Sequence, residues 1–370
     1  MRRRTFLYAS ALLAGGACAE RLGAAGPIER RLYITNDTGI SVYDIDRGHA
    51  FLRRIDILNS GDYKGIAVSP QSGRLYVTSH RLDELICLDL SSDAIVWRKN
   101  VGPYADSHWV TPDGRRIYLP TRGDIYWRVL DAQDGSEVAR IPTERGRNYD
   151  VDPIGDIGPH NTWINRAGTR VYMEVLTVPY VYVADTATNE VLGKIGPFAK
   201  GVRPFAVADN ERLLFANVDG LLGFEVAEIA RAPWGGRVIH RAEARTPPER
   251  FAEIPEPPAV KPHSTPSHGV AVRPDQREVW VVDGVYGYVH VFNVAWFPPT
   301  QVASIPLFAD RGERPHPGWI AFGIDGRYAY PDGGAVIDTA TKQVVARIPT
   351  SEKLIEIDFQ DGHVVAAGHR

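Results

Sequence analysis

The sequence predicts an all-β protein made of repeated four-stranded antiparallel units, and three observations carry that prediction. Apolar and polar residues alternate at period two in short runs rich in Val, Ile, Tyr, Trp and Leu, the pattern of half-buried strands. Tight-turn residues separate the runs, and the 370 residues include 35 Gly and 27 Pro. The same strand–turn–strand pattern recurs along the chain, with starts near residues 64, 106, 160, 203, 268 and 318. That spacing approaches the ~40–50 residues of a propeller blade once loop insertions are allowed. No long 3.6-residue period appears, so helix should be nearly absent.

The repeat reads YKGIAVSPQSGRLYVTS (63–79), DSHWVTPDGRRIYLPT (106–121), GPHNTWINRAGTRVYMEV (158–175), RPFAVADNERLLFANV (203–218), SHGVAVRPDQREVWVVD (267–283) and PGWIAFGIDGRYAYPD (317–332). Each is a hairpin of inner strand, polar turn and second strand. A third strand follows and ends near an acidic turn, as in 85–90, 181–186, 289–294 and 335–339. A fourth comes next, as in 137–143, 190–196 and 343–350. The N-terminus supplies 32–36, 40–45 and 52–57, which match the second, third and fourth strands of a unit without its first. KLIEIDF (353–359) is the missing first strand. The expected fold is therefore a seven-bladed β-propeller, its ring closed by a C-terminal strand joining the N-terminal blade, with no exposed sheet edge at the seam. The run 363–369 is left over, and its place is undecided at this level. The folded unit spans 28–370 and carries a long Pro-rich loop at 245–267.

The runs Leu75-Tyr-Val-Thr, Val171-Tyr-Met-Glu and Val279-Trp-Val-Val, each following a Pro-Asp-Gly-Arg-like turn, resemble the YVTN-type (YncE-like) bacterial β-propeller repeat. The resemblance spans about residues 30–368. It implies the fold strongly and says little of function, because such propellers include binding proteins, surface proteins and a few enzymes.

Composition bounds the function classes. The chain is 44% hydrophobic and 24% charged, with net charge −3 and no basic tract beyond its start, so nucleic-acid binding is not indicated. Residues 1–19 read as an export signal: Arg2-Arg3-Arg4, a short apolar run, then Ala17-Cys18-Ala19, too short to span a bilayer. Arg3-Arg4-Thr5-Phe6-Leu7 resembles a twin-arginine motif, which implies a periplasmic or extracellular protein. Cleavage after Ala19 leaves Cys87 as the one thiol and no internal disulfide; a lipid anchor at Cys18 is the alternative.

The first residues of the inner strands should ring one mouth of the central channel. They are Lys64, Asp106, His160, Arg203, His268 and Gly318, with His108 and His316 nearby. The crossovers at this mouth, 144–159, 247–267 and 308–317, are the longest in the chain, and long loops on one face of a scaffold carry function. The plain reading is a polar, wet channel lining. A second is a divalent transition metal (Zn, Mn, Fe or Cu) held by His160, His268, His108 and His316, with Asp106 as a further donor. A third is recognition of a small anion by Lys64, Arg203, Asp106 and Trp319, since Arg forks suit carboxylate and phosphate. Trp109 and Trp163 are expected to pack between blades, and His240, His290, His363 and His369 to be structural. Ser107, Ser264 and Ser267 lack an activating motif, and Asp150, Asp152 and Asp156 read as a solvated turn rather than a Ca²⁺ loop. The leading expectation is an exported binding protein for a small anionic ligand or a protein partner. A metal-dependent lyase, hydrolase or oxidase and a structural surface module are the alternatives, and the sequence leaves open whether the protein is an enzyme.

Overall fold

The computed structural model describes residues 26–146, 158–245, 266–307, 317–349 and 353–369. Residues 1–19, expected to be an export signal, with Cys18, most of the three long crossovers, Asp150, Asp152, Asp156, His263, Ser264 and His316 lie outside the described residues. Among those described there are strands and a single 3₁₀ turn, His80–Leu82, and no helix long and apolar enough to cross a membrane.

The chain enters through β1 (Glu29–Asn36), β2 (Gly39–Asp44) and β3 (Ala50–Asp56). Successive meanders follow. They are β4 (Tyr63–Ser69), β5 (Arg74–Ser79), β6 (Glu84–Asp89), β7 (Ile95–Asn100); β8 (Trp109–Val110), β9 (Arg116–Leu119), β10 (Tyr126–Asp131), β11 (Glu137–Pro142); and β12 (Pro159–Ile164), β13 (Arg170–Val175), β14 (Val181–Asp185), β15 (Val191–Ile195). Then come β16 (Val202–Val207), β17 (Leu213–Val218), β18 (Gly223–Arg231), β19 (Trp234–Glu243); β20 (Val270–Val272), β21 (Glu278–Asp283), β22 (Tyr288–Asn293), β23 (Thr300–Pro306); and β24 (Ile320–Phe322), β25 (Tyr328–Pro331), β26 (Ala335–Asp338), β27 (Gln343–Arg347). The chain ends with β28 (Leu354–Gln360) and β29 (His363–Ala367).

Each meander is an antiparallel sheet in chain order. Two of them, β12–β15 and β16–β19, are joined into one eight-stranded sheet by a parallel bridge between Ile195 and Gly236. Glycine permits that approach, since a Cβ on Gly193 would lie 2.0 Å from the Trp234 carbonyl oxygen. The turns explain the register. An aspartate at the end of a third strand accepts two backbone N–H groups of the turn, as Asp185 does from Ala187 (2.8 Å) and Thr188 (3.0 Å) and Asp338 from Ala340 (3.1 Å) and Thr341 (2.9 Å), an Asx turn. Arg74 and Arg116 then tie second strand to third through Asp89 and Asp131, each at 2.7 Å.

The first strand of each meander is innermost and buried, and the fourth is largely exposed. Between neighbouring sheets lie the large apolar side chains: Tyr76, Tyr118, Trp127, Tyr172, Trp280 and Tyr330 have almost no exposed surface. β28 pairs with β1 from Glu29↔Phe359 to Ile34↔Leu354, as expected for the missing inner strand. Leu32, Ile34, Tyr43, Ile45 and Leu354 then pack on Tyr330, Val336 and Ile348 of the last meander, closing the ring. The leftover run finds its place here. β29 pairs with the inner edge of β28, giving a five-stranded sheet β29-β28-β1-β2-β3, so the expected four-stranded closing blade has one strand more, inside the ring.

Candidate functional site

Neighbouring inner strands run in the same direction, as the parallel bridge between Ser107 and Asn161 shows, so their first residues gather at one mouth of the channel. His160 is the centre of that mouth. Its strand starts in a tight cradle: a Cβ on Gly158 would lie 1.9 Å from the Asp124 carbonyl oxygen and 2.7 Å from that of Thr121, so only glycine lets β12 begin there.

The His160 ring is buried. Its Nδ1 lies 2.6 Å from Oε1 of Glu174, a fully buried carboxylate on β13 that also accepts from Asn161 Nδ2 at 2.8 Å. Asn161 Nδ2 lies equally close to Nδ1, at 2.6 Å; with the proton on Nδ1 directed at the carboxylate, the lone pair stands on Nε2. Asp106 Oδ2 lies 3.9 Å from that nitrogen and 3.2 Å from Arg122 Nε. The His268 ring stands 5.9 Å from the His160 ring, edge to face, and its Nδ1–H donates to the Gly318 carbonyl at 3.0 Å. Arg203 is buried at the start of β16, and its Nε donates to Asp219 at 2.7 Å. Lys353 Nζ sits 3.5 Å from the centre of the Trp319 ring, a cation–π contact, and Asp332 holds the Trp319 N–H at 3.1 Å.

Burial, and then the charges of His268, Arg122, Arg203 and Lys353, hold His160 well below the usual imidazole range. The site at neutral pH is thus an uncharged imidazole inside a collar formed by Arg122, Arg203 and Lys353 from several sheets. A few paces along the rim, Arg122 Nη2 lies 3.2 Å from His80 Nε2, whose ring lies tilted against Tyr104 at 4.7 Å.

The structure brings together Asp106, His160, Arg203 and His268, with Trp319 close by. Lys64 lies at the rim, partly exposed, in an ion pair with Asp62. His108 takes another direction: its buried ring lies so close to Gly65 that a Cβ there would sit 2.6 Å from Nδ1. Asp106 reaches forward to His160 while His108 turns back, because β8 begins only at Trp109 and the residues before it do not follow strand alternation. Ser107 Oγ donates to the Lys64 carbonyl at 2.8 Å, and Ser267 Oγ accepts from Gly223 N at 2.9 Å, so both tie backbone segments together. Trp109 and Trp163 are buried as expected. Among the described residues, no group of three or more His, Cys, Asp or Glu side chains converges as metal ligands would; His316 is not among them. Glu174, Arg122, Lys353 and His369 belong to the site or its floor and were not anticipated. Glu174 left a trace, being the charged residue of a second strand where other repeats carry Thr78, Pro120, Asn217 and Val282.

Below this collar, β29 carries Gly368 and His369 into the channel. His369 lies between Trp109 and Trp163, at 5.4 and 5.2 Å, and its Nε2–H donates to the Ile164 carbonyl at 2.8 Å on the far wall. The remaining cavity, about 30 Å³, is bordered by Ile66, Trp109, Trp319, Phe322, Lys353 and His369, room for about two waters.

No family model matches the sequence, and comparison with curated proteins gives no match. Solved structures do match. A protein from Lactobacillus plantarum aligns with a TM-score of 0.67 at 12% identity, covering 89% of this chain and 99% of that one. The Cps50 (Swd1) β-propeller domain of Myceliophteria thermophila gives 0.60 at 11% identity, covering 84% and 96%. Dihydro-heme d1 dehydrogenase NirN, solved in complex with DHE, gives 0.59 at 15% identity, covering 92% and 72%. At such identities the likeness is one of fold: the chain is a β-propeller.

Proposed function

We propose that this protein is an exported seven-bladed propeller, of the YVTN type, that binds a small anionic ligand at the channel mouth. The blade count takes the eight-stranded sheet as two blades. The observation that carries the reading is the placing of Arg122, Arg203 and Lys353, with the His268 ring 5.9 Å away, about a buried, uncharged His160. Cations gathered from separate blades around one point, with Trp319 beneath Lys353, suit a carboxylate or phosphate with an apolar body. Asp106, Glu174 and Asp219 hold these groups in place, so the collar is preorganised. The test is calorimetric titration of the mature protein with malonate at low salt. Saturable binding that weakens at least about tenfold in Lys353→Met supports the reading; absence of binding to malonate and phosphate alike overturns it.

One observation favours a second reading. His160 Nε2, backed by Glu174 through Nδ1, faces Asp106 at 3.9 Å, and a carboxylate-backed imidazole is a common metal ligand. A divalent metal held there by His160 and Asp106 would make the mouth a Lewis-acid site. The ion pair of Asp106 with Arg122 opposes it. Elemental analysis of the dialysed protein beside His160→Ala/His268→Ala separates the two readings: near-stoichiometric metal lost in the variant favours the metal.

A further inference from the structure

We propose that the slot between Trp109 and Trp163 is a binding site for a planar N–H heterocycle, and that His369 is its built-in, displaceable occupant. Both tryptophans present their rings edge to face to the imidazole, at interplanar angles of 71° and 86°. The Ile164 carbonyl accepts one ring N–H at 2.8 Å. Two aromatic walls and one backbone acceptor are complementary to the shape and one donor of a flat ring.

Three features make His369 a stand-in rather than a structural staple. It arrives on β29, whose pairing with β28 adds a fifth strand inside the ring. Withdrawing β29 therefore breaks one ladder and leaves β28-β1-β2-β3 intact. The residues of β29 are half-buried or exposed, unlike the buried β28. A small cavity also adjoins His369 and Trp109 and is bordered on its other side by Trp319 and Lys353, the latter a member of the cationic collar. Trp163 is three residues along β12 from His160, about 10 Å at strand rise. A ligand with a flat N–H ring at one end and an anionic group at the other, roughly that far apart, would span slot and collar. Only the anionic end rests on the reading given above; the ring site stands on His369 and its walls.

The experiment uses the full chain with imidazole, imidazole-4-acetate and acetate as probes, read by tryptophan fluorescence and thermal shift. The ring site predicts saturable imidazole binding to His369→Ala at least about tenfold tighter than to the wild type, because the internal competitor is gone. His369→Gln, which keeps a donor for the Ile164 carbonyl without the ring, should behave likewise if the alanine variant folds poorly. Adding Trp163→Leu should abolish the gain. Equal imidazole affinity for wild type and both His369 variants, or a gain that survives Trp163→Leu, overturns the proposal. Acetate reports on the collar alone: its failure to bind, with imidazole still gaining in His369→Ala, would sink the anion reading and leave the ring site standing.

Discussion

Glutamate 356 makes the seam of the propeller sensitive to alkali. It lies on β28, almost wholly buried, facing the last meander. Its Oε2 accepts the Ile324 N–H at 3.0 Å, but its Oε1 has no hydrogen-bond partner. Asp358, two residues on and on the same face of the strand, is also buried, with Oδ1 unpartnered. The nearest cation, Arg30, spends Nε and Nη2 on Asp46 and Nη1 on Asp325, so it offsets little of the charge that Glu356 would carry. Burial first, and then Asp358, push the Glu356 carboxyl from 4.5 up to about 8; burial pushes Asp358 up as well. As pH rises above 4.5 the unfolded chain ionises at Glu356 while the folded chain holds its proton. Stability therefore falls between about pH 4.5 and 8, by at most about 5 kcal/mol at about 1.4 kcal/mol per pH unit, and the loss is complete above pH 8. Asp358 adds to it with the same sign. Urea unfolding at pH 5, 7 and 9 of wild type and Glu356→Gln reads this out. The glutamine variant should lose several kcal/mol less than wild type between pH 5 and pH 9 and be the more stable at pH 9. Parallel profiles, within about 0.5 kcal/mol, would refute a buried protonated carboxyl at the seam.

Other perturbations have definite outcomes. Glu174→Leu removes the buried acceptor shared by His160 Nδ1 and Asn161 Nδ2 and should cost about 3 kcal/mol in urea unfolding, whereas Glu174→Gln, which can still hydrogen-bond, should cost less than half of that. Gly158→Ala drives a Cβ into the fixed Asp124 carbonyl, so it should destabilise by more than about 2 kcal/mol and weaken malonate binding by shifting His160. Trp280→Ala empties a site with no exposed surface, packed on Phe322 at 5.5 Å, and should cost about 3–5 kcal/mol by the same assay.

Much of the fold was legible because its signals are local. Period-two alternation, the Asp turns after the third strands, and the second strands beginning at Arg74, Arg116 and Arg170 each act within a few residues, and the strands formed within about three residues of where they read. The choice of edge for β29 is not local. Alternation says that 363–369 is a strand, but only the geometry of the closing sheet decides that it pairs inside β28. The site was legible in outline for the same reason: the first residue of an inner strand faces the mouth wherever the strand is regular. His108 departed from that rule because the strand there starts late. Arg203 reads as an accessible cation at a strand start, yet Asp219, sixteen residues later, draws it into the wall. Lys353 and Arg122 come from outside the repeat positions, at the closing strand and after a second strand, where no recurring pattern marks them.

Whether the mouth around His160 holds an anion is decided by anomalous diffraction from a bromide-soaked crystal. A bromide is expected within hydrogen-bonding distance of Arg203, Arg122 or Lys353, beside His160, and lost in Lys353→Met. Bromide found only on the outer surface, or a metal bonded to His160 Nε2 and Asp106 in its place, would contradict an anion site there.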